Sequence, residues 1–404
     1  MRGKIGGMRK KESMKQKFFG ISPNVVWLGV VSFLNDVSSE MIMPILPMFI
    51  ESLGGGKLAV GVLGGIRDSL SSLLNVVSGY MAGRTGKKKI FVFLGYCTSA
   101  VFKVLLAISS TFRQAVVVSS LERLGKGMRN APRDAIIAES MPQERGKGFG
   151  FHRALDTMGA ILGSLFVLIL LWFFNFGFKA VLIIAASLSL VCLIPLAFVK
   201  EPKLVPEKKE AVSASVVLPA GLKIFIVIAA AFALGNFSYM FFVLRSSEFF
   251  ADKWAKVLPV LLYVFFNIFS AAFVMPLGVL GDRIGKQKVI ILGYLMFAAT
   301  CFGFIFIRSA AGLAALFAFY GISVASVDSN QRAYVSDLSG GQKKAAALGV
   351  YHTAVGVMAL PAGLLGGLLW KYISAETTFI YGGSIGLICA IAMISLGRYV
   401  EKIK

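Results

Sequence analysis

The sequence predicts an all-α membrane protein with twelve transmembrane helices, arranged as two six-helix bundles. Its composition, the number of long apolar segments and an internal repeat support this prediction. Hydrophobic residues make up 57% of the 404 residues and charged residues only 15%, whereas charged residues average about 25% in soluble domains. A soluble fold cannot bury so much apolar surface. The composition therefore excludes an ordinary soluble enzyme, a disordered chain and a secreted disulfide scaffold.

The chain contains twelve apolar segments of membrane-spanning length. A spanning helix needs about 20 predominantly apolar residues. In the first half we expect spans at about 24–50, 58–82, 88–110, 113–138, 146–173 and 177–199. In the second half we expect them at about 221–248, 255–280, 287–307, 310–336, 345–370 and 377–397. The first segment is too long for a signal peptide and carries acidic residues, so we interpret it as a retained span.

These segments divide the chain into five parts. We expect a basic tail at 1–23, a six-helix bundle at 24–200, a polar linker at 201–219, a second bundle at 220–399 and a short tail at 400–404. Lysines and arginines concentrate in the first tail, in the linker and in the loops after even-numbered spans. The positive-inside rule therefore places both termini in the cytoplasm of a protein embedded in the cell membrane.

The net charge of +22, with 42 Lys and Arg against 20 Asp and Glu, follows from these cytoplasmic loops without a nucleic-acid partner. The four cysteines lie within apolar segments, show no metal-site spacing and predict no disulfide. The two histidines are far apart in sequence and form no zinc motif. We therefore expect no metal, no cofactor and no nucleic acid, and a monomer in the lipid bilayer that binds a small-molecule substrate.

An internal repeat links the two halves. Residues 79–89 and 278–288 share the pattern G-x-x-x-[GD]-R-x-G-K-x-K, and each copy lies between the second and third spans of its half. The same offset separates Arg133 from Arg332, and His152 and His352 differ from it by one residue. The repeat predicts a duplicated six-span unit in parallel orientation, with a pseudo-two-fold axis along the membrane normal.

The repeated loop resembles the loop signature of the major facilitator superfamily, G-x-x-x-D-R-x-G-R-[RK]. The stretches R-N-A-P-R-D-A at 129–135 and F-G-F-H-R-A at 149–154 are similar to a poorly characterised prokaryotic branch of that family. The resemblance covers nearly the whole chain and implies a central cavity between the bundles and alternating access by rocking. The first copy departs from the signature, with Gly83 where the family has Asp, so Arg84 needs another partner; the second copy retains Asp282.

Ionisable residues within the spans are the candidate functional residues, because such residues are costly in a membrane unless they are paired or functional. The candidates for proton coupling are Asp36, Glu40, Asp68, Arg123, His152 and Asp156. The candidates for substrate binding are Arg67, Lys126, Arg129, Asn236 and Arg245. The candidates for gating are Arg84, Arg133, Asp134, Arg153, Asp282, Arg283, Asp328 and Arg332.

The chemistry of these groups allows more than one interpretation. A carboxylate in apolar surroundings can exchange a proton near neutral pH. The stretch 123–127 resembles an Arg-x-x-x-Gly signature of the same superfamily, which implies that Arg123 modulates a neighbouring carboxylate. Lys126 and Arg129 lie on one helical face and can bind an anionic substrate. Within the spans of the first half, acidic and basic residues are nearly equal in number. The alternative interpretation is therefore that these residues form internal ion pairs, which set helix packing or gate the cytoplasmic side.

Secondary active transport of a small organic solute, coupled to protons, is the function that the sequence favours. The chain has no Walker A loop for ATP. It also lacks the HExxH and GxSxG motifs of hydrolytic enzymes, so we expect a transporter rather than an enzyme. A lipid or amphiphile flippase, or a multidrug exporter, is the alternative on the same fold. A polar cavity shared by both halves favours the first function, and an apolar lateral groove favours a flippase.

Overall fold

The computed structural model describes residues 20–201, 218–339 and 344–403. Most of the predicted basic tail and linker, and the final residue of the second tail, lie outside these ranges. The described residues form fifteen helices in chain order, which are α1 Pro23–Ile42, α2 Leu46–Ser52, α3 Lys57–Thr85, α4 Lys88–Ala107, α5 Phe112–Ser140, α6 Arg145–Trp172, α7 Phe178–Val191, α8 Leu193–Leu196, α9 Ala220–Gly235, α10 Met240–Glu248, α11 Trp254–Ile284, α12 Lys286–Phe306, α13 Ala310–Leu338, α14 Lys344–Tyr372 and α15 Ala375–Ile403.

Ten helical segments of the described chain are long and apolar enough to cross a membrane, with α7–α8 and α9–α10 each counted as one. The all-helical prediction is therefore confirmed for these residues. Helices α3 and α5 have 29 residues each and are also long enough to cross a membrane. They are not among the ten segments, because their polar and ionisable residues make them less apolar. The number of twelve spans stays a prediction.

Two of the predicted spans are broken by three or four non-helical residues. Proline has no backbone N–H and ends a helix that would continue through it. Accordingly, α1 ends at Ile42, two residues before Pro44, and Pro47 lies in the first turn of α2. The second break, between α9 and α10, spans residues 236–239 and contains no proline. Met43 of the first break and residues 236–239 of the second line one cavity.

The repeated loop motif contains a glycine with positive φ in both halves. Gly86 follows α3 with φ of 70° and ψ of −1°, and Gly285 follows α11 with φ of 99° and ψ of 129°. A positive φ favours glycine, because a Cβ atom would clash with the backbone. The shared G in the sequence pattern therefore corresponds to a positive-φ glycine after the second long helix of each half, and the two turns differ in ψ.

The two halves meet through α3 and α14, which approach so closely that glycine is required at the crossing. A Cβ atom at Gly61 would overlap the carbonyl oxygen of Gly363, and a Cβ atom at Gly363 would overlap the Gly61 carbonyl in the same way. Further along, Ser69 Oγ donates to the Gly356 carbonyl at 2.7 Å. Beyond this point the helices separate: a Cβ atom at Gly349, further along α14, would meet no atom within 4 Å, and His352 is exposed. The halves are thus joined at one end, which we call the closed end.

Two further contacts between the halves support the closed end. Helix α6 packs against α11, where Asn267 Nδ2 donates to Ser164 Oγ at 3.3 Å. Helix α2 packs against α10, and Tyr239 at the start of α10 donates to the Met43 carbonyl at 3.1 Å. The space between these three contacts and the diverging ends of α3 and α14 contains the central cavity.

Replacing Gly363 with alanine is expected to open the closed end, because its methyl group would collide with the backbone of α3. We would measure the reaction of a cysteine at position 69 with a water-soluble maleimide, in a background without the native cysteines. The reaction should accelerate in Gly363→Ala. Gly349→Ala is the matched control on α14, since a Cβ atom there meets no atom within 4 Å. Equal labelling rates in the two variants would contradict the proposed contact.

Candidate functional site

A polar cavity lies between the two halves. It consists of two adjoining chambers, of about 460 and 320 Å³. Asp36, Glu40, Lys126 and Asp328 line both chambers. The first three belong to α1 and α5 of the first half, and the last belongs to α13 of the second half. Both halves therefore contribute charged groups to one enclosed space, as a shared transport cavity requires.

The structure brings most of the predicted proton-coupling residues to this cavity. Asp36, Glu40, Asp68 and Arg123 line the larger chamber, and Asp156 lines the smaller one. His152 lies behind Asp156 and is buried. Their role in coupling stays a prediction, but the residues predicted from separate spans lie around one space.

The predicted substrate-binding residues are divided between three places. Lys126, Arg129 and Asn236 line the larger chamber. Arg67 is buried behind the wall of that chamber, and its guanidinium contacts α5. Arg245 lies at the closed end, outside the lining of both chambers, where it pairs with acidic residues.

The predicted gating residues lie along the smaller chamber and at the open end. Asp328, Arg153 and Arg332 line the smaller chamber. Arg332 does not pair with the Asp328 carboxylate; its Nε donates to the Asp328 carbonyl oxygen at 3.3 Å.

At the open end, Arg84, Asp282 and Arg283 are exposed. Asp282 contacts Lys286, one turn along the chain, at 3.5 Å. The Arg84 side chain has no hydrogen bond or ion pair with any described residue. Arg133 pairs with its neighbour Asp134 at 3.0 Å and also reaches the hydroxyl of Ser32 at 3.3 Å.

A buried charge cluster forms one wall of the larger chamber. The Glu122 carboxylate lies between two guanidinium groups, 3.4 Å from Arg67 and 3.7 Å from Arg123. Arg67 also donates to the hydroxyl and carbonyl of Ser119, and Arg123 donates to the Met43 sulfur at 3.0 Å. The three charged side chains are at most 10% exposed. Each therefore depends on the others for charge compensation.

Glu122 and Met43 were not among the candidate site residues. Glu122 lies one helical turn before Lys126 on the same face of α5, and this spacing identifies it as a residue of the same polar face. The sequence does not identify Met43 as a site residue, because its thioether becomes a hydrogen-bond acceptor only where the α1 break brings it beside the arginines and Tyr239.

A second buried network surrounds His152. Its Nε2 lies 2.9 Å from Ser32 Oγ, which also contacts the Tyr96 hydroxyl at 2.8 Å. Its Nδ1 lies 3.4 Å from Asp156 Oδ2, one helical turn along α6. The other Asp156 oxygen is buried without a partner. This network extends from the smaller chamber into the interior of the first half and connects α1, α4 and α6.

Several charged groups in the cavity have no ion-pair partner among the described residues. Among them are the side chains of Asp68, Lys126 and Asp328, and all three are exposed. Arg153 and Arg332 of the smaller chamber also lack an ion pair with a described residue. The Asp36 carboxylate accepts only a hydrogen bond from Asn35 at 3.2 Å. Glu40 accepts a hydrogen bond at 2.8 Å from Tyr263 of the other half. The unpaired groups are available for a ligand or a proton.

The closed end is held by one ion pair between the halves and by further pairs within each half. Lys57 of α3 contacts Glu248 of α10 at 2.9 Å and also pairs with Glu51 of its own half. Arg245 pairs with Glu248 at 3.1 Å and with Glu376 at the start of α15. Nearby, the Trp172 and Trp254 rings pack with centroids 4.9 Å apart. Several charges and aromatic rings thus cover the cavity at this end.

An apolar groove of about 600 Å³ lies on the side of the molecule, near the closed end. Its walls come from α3, α5 and α14, with Leu58, Val62, Phe112 and Val116 as its apolar lining. It shares no lining residue with either chamber of the central cavity. The polar cavity and the lateral groove are therefore separate sites.

Among the described residues, no three His, Cys, Asp or Glu side chains are grouped so that they would hold a metal ion. The expectation that the protein needs no metal or cofactor stays a prediction.

Comparison with known proteins identifies relatives along the whole chain. The sequence model of the family described as Major Facilitator Superfamily matches residues 28–260 and 253–403. An uncharacterised MFS-type transporter of Methanocaldococcus jannaschii is 49% identical over 93% of this chain and 95% of its own length. The multidrug resistance protein MdtG of Salmonella paratyphi C is 27% identical over 67% of this chain and 69% of its own.

The fold also matches solved structures. The crystal structure of the nucleoside transporter NupG superposes with a TM-score of 0.77 over 93% of this chain and 99% of its own, at 15% identity. At 15% identity, this similarity establishes a shared fold and does not establish a shared function.

Glu122→Gln is expected to destabilise the protein strongly, because it leaves two buried guanidinium groups without a counter-charge. Breaking a buried pair costs about 3–5 kcal/mol in soluble proteins, so the melting temperature of the purified protein should fall clearly. Glu139→Gln is the control, because it breaks the half-exposed pair with Lys88, and exposed pairs contribute about 0–1 kcal/mol. If the two variants melt at the same temperature, the buried cluster does not stabilise the fold.

Proposed function

Because the chain belongs to the major facilitator superfamily, we propose that it is a secondary active transporter of a small organic solute. It moves this solute across the cell membrane by alternating access, coupled to protons. The observation that carries the proposal is the polar cavity shared by the two halves, which contacts between the halves close at one end. Its larger chamber of about 460 Å³ is within the range of about 300–1,000 Å³ typical of small-molecule sites.

In this proposal the chain crosses the membrane twelve times, six times in each half. Helices α3 and α5 are the two spans that lack an apolar composition, and they line the cavity with Asp68, Glu122, Arg123 and Lys126. Their polarity is tolerable since these charges face each other or the cavity rather than lipid. The duplicated loop, with its glycine turn in each half, supports a pseudo-two-fold arrangement of the halves.

The proposed orientation puts both termini in the cytoplasm, as the distribution of Lys and Arg in the sequence favours. The closed end, with Lys57 and Glu248, then faces the outside, and the end with Gly86 and Gly285 faces the cytoplasm. The described arrangement is therefore an inward-open state. The opposite state requires separation of α3 from α14 and of α2 from α10.

Proton coupling is assigned to the carboxylates of the first half. Asp36 borders both chambers, and its only hydrogen bond comes from the neighbouring amide of Asn35. Glu40, one turn away, accepts from Tyr263 across the interface between the halves. A change in protonation at Glu40 would alter a contact between the halves, so a proton there is linked to the conformational change. The Asp156–His152 network offers a further proton-binding group at the smaller chamber.

Multidrug export is the second candidate function. The aromatic wall of the larger chamber, which includes Tyr239, Tyr263 and Tyr320, supports it, because aromatic faces accept varied apolar ligands. The similarity to the multidrug resistance protein of Salmonella agrees with this alternative. A lipid flippase is less favoured, since the lateral groove shares no residue with the central cavity.

Asp36→Asn is expected to abolish proton-coupled transport, because the amide cannot release or take up a proton. Purified protein would be reconstituted in liposomes containing a pH-sensitive dye, and solutes would be screened for those that cause proton movement. The control is Asp252→Asn, since Asp252 is exposed in the loop before α11 and its left-handed backbone, with φ of 53°, suits asparagine. Solute-induced proton movement that persists in Asp36→Asn would exclude this residue from coupling.

Lys57→Met is expected to favour opening of the closed end, since it removes the ion pair with Glu248 of the other half. Spin labels at positions 110 and 310, which are exposed in the two halves at this end, would report the distance between the halves by pulsed electron resonance. We expect a larger population of long distances than in the parent protein. Lys371→Met provides a control, because Lys371 lies at the same end and contacts the Tyr372 ring without an ion pair. Identical distance distributions for the Lys57 variant and the parent protein would contradict a gating role.

A further inference from the structure

We propose that the solute carried in the central cavity is an organic cation, with an amine or related positive group attached to an aromatic or otherwise apolar body. The inference rests on the proposed transport function and specifies the substrate class of the same cavity. The observations that carry it are the separation of charges within the larger chamber, the free hydrogen-bond acceptors on one side and the aromatic rings beside them.

The positive groups of the chamber lie on one helix and most already have acceptors. Arg123 lies beside Glu122 and donates to Met43. Arg129 donates to Ser99 at 2.7 Å, and its guanidinium lies 4.5 Å from the centre of the Tyr96 ring. All belong to the α5 wall, where Lys126 is the one lining cation without a partner among the described residues. In the larger chamber an anionic solute would therefore find a single free positive group; Arg153 and Arg332, which have no ion pair with a described residue, line only the smaller chamber.

The acceptors without partners lie on the other walls. Asp68 of α3 and Asp328 of α13 come from opposite halves, and both carboxylates are exposed to the chamber without an ion pair to any residue that the structure describes. The side-chain oxygen of Asn236 is buried and has no hydrogen-bond partner there. Asn236 lies in the break after α9, whose C-terminal end carries a partial negative charge. These groups accept hydrogen bonds and stabilise positive charge, so they fit an ammonium or amidinium group.

The backbone places these acceptors near one another. A Cβ atom at Gly64, one turn before Asp68 on α3, would lie 2.6 Å from Ser238 Cβ in the α9–α10 break. Asn236, Tyr320 and Asp328 also line one small recess of about 50 Å³ at the chamber wall. The chamber thus has an acceptor-rich region formed by α3, the break and α13, next to the cationic wall of α5, against which α3 packs.

Aromatic rings complete this side of the chamber. Tyr320 packs on Phe266 with ring centroids 4.9 Å apart, and Tyr239 packs on Tyr263 at 5.1 Å. All four side chains line the larger chamber. A cation over an aromatic face is attracted by the negative potential of the ring, most strongly where water is excluded. The same rings bury an apolar body, so the positive group and the body of the solute both find complementary surfaces.

Binding of ethidium, a fluorescent aromatic cation, to the purified full-length protein in detergent tests the inference. Tetraphenylphosphonium and tetraphenylborate have the same shape and opposite charge, and they would be used as competitors. We expect tetraphenylphosphonium to displace ethidium and tetraphenylborate to leave it bound. Asp68→Asn and Asp328→Asn should each weaken ethidium binding about tenfold or more, because each removes a negative charge from the chamber. Lys126→Gln should strengthen binding by removing a like charge.

Three controls make the result decisive. Asp252→Asn should bind ethidium as the parent does, and the charge-preserving Asp68→Glu and Asp328→Glu should retain most of the affinity. Melting curves would confirm that every variant is folded. Preferential displacement by the anion, weaker binding in Lys126→Gln, or unchanged binding in both aspartate-to-asparagine variants would overturn the inference.

The experiment separates this inference from the proposed function. Cation binding that depends on Asp68 and Asp328, without any solute-driven flux in liposomes, would support the ligand class and contradict transport. Flux of a solute that carries no positive group, without binding of ethidium, would support transport and contradict the ligand class.

Discussion

The structure depends on the compensation of charges that lie between helices in an apolar environment. A charged side chain in such an environment must be paired, hydrogen-bonded or in contact with water. Glu122 between Arg67 and Arg123 meets this requirement by pairing. Asp68, Lys126 and Asp328 meet it by facing a cavity. The same constraint thus fixes the packing of α3 on α5 and requires an open polar space between the halves.

The contacts that close one end of this space have a different physical origin. The α3–α14 crossing depends on glycines that allow two backbones to touch, since a single methyl group at Gly61 or Gly363 would overlap a carbonyl oxygen. Small residues at helix interfaces are favoured in membranes because packing, rather than the hydrophobic effect, drives helix association there. The ion pair of Lys57 with Glu248 adds to this contact at the periphery. A close backbone contact flanked by an ion pair differs from a continuous apolar core, because it can separate as a unit.

The cavity combines two kinds of surface. One wall, on α5, carries arginines and a lysine, and the neighbouring surface carries free carboxylates, an unpartnered amide oxygen and aromatic rings, as far as the described residues extend. Asp36 and Glu40 of the first half line the same cavity, and Glu40 accepts a hydrogen bond from Tyr263 of the other half. Under the proposed function, ligand, proton and conformation are linked through these neighbouring groups in a single space.

Much of this arrangement was predictable from the sequence. Apolar segments of membrane length predicted an all-helical chain, because this signal is local in sequence. Helical spacing also places His152 beside Asp156, since residues four apart share a face. The family resemblance carried by the loop motif was confirmed by the match along the chain.

The tertiary structure decided which charges are paired and which are free. The sequence assigned Arg67, Arg129 and Arg245 alike to substrate binding, yet they lie in a buried cluster, in the cavity wall and at the closed end, respectively. Spacing along one helix cannot show which residue of another helix lies opposite, because that depends on the crossing of the two helices. The hydrogen-bonded thioether of Met43, the carboxylates of Asp68 and Asp328 in the cavity and the closed end at Gly61 and Gly363 all arise from such crossings between distant segments.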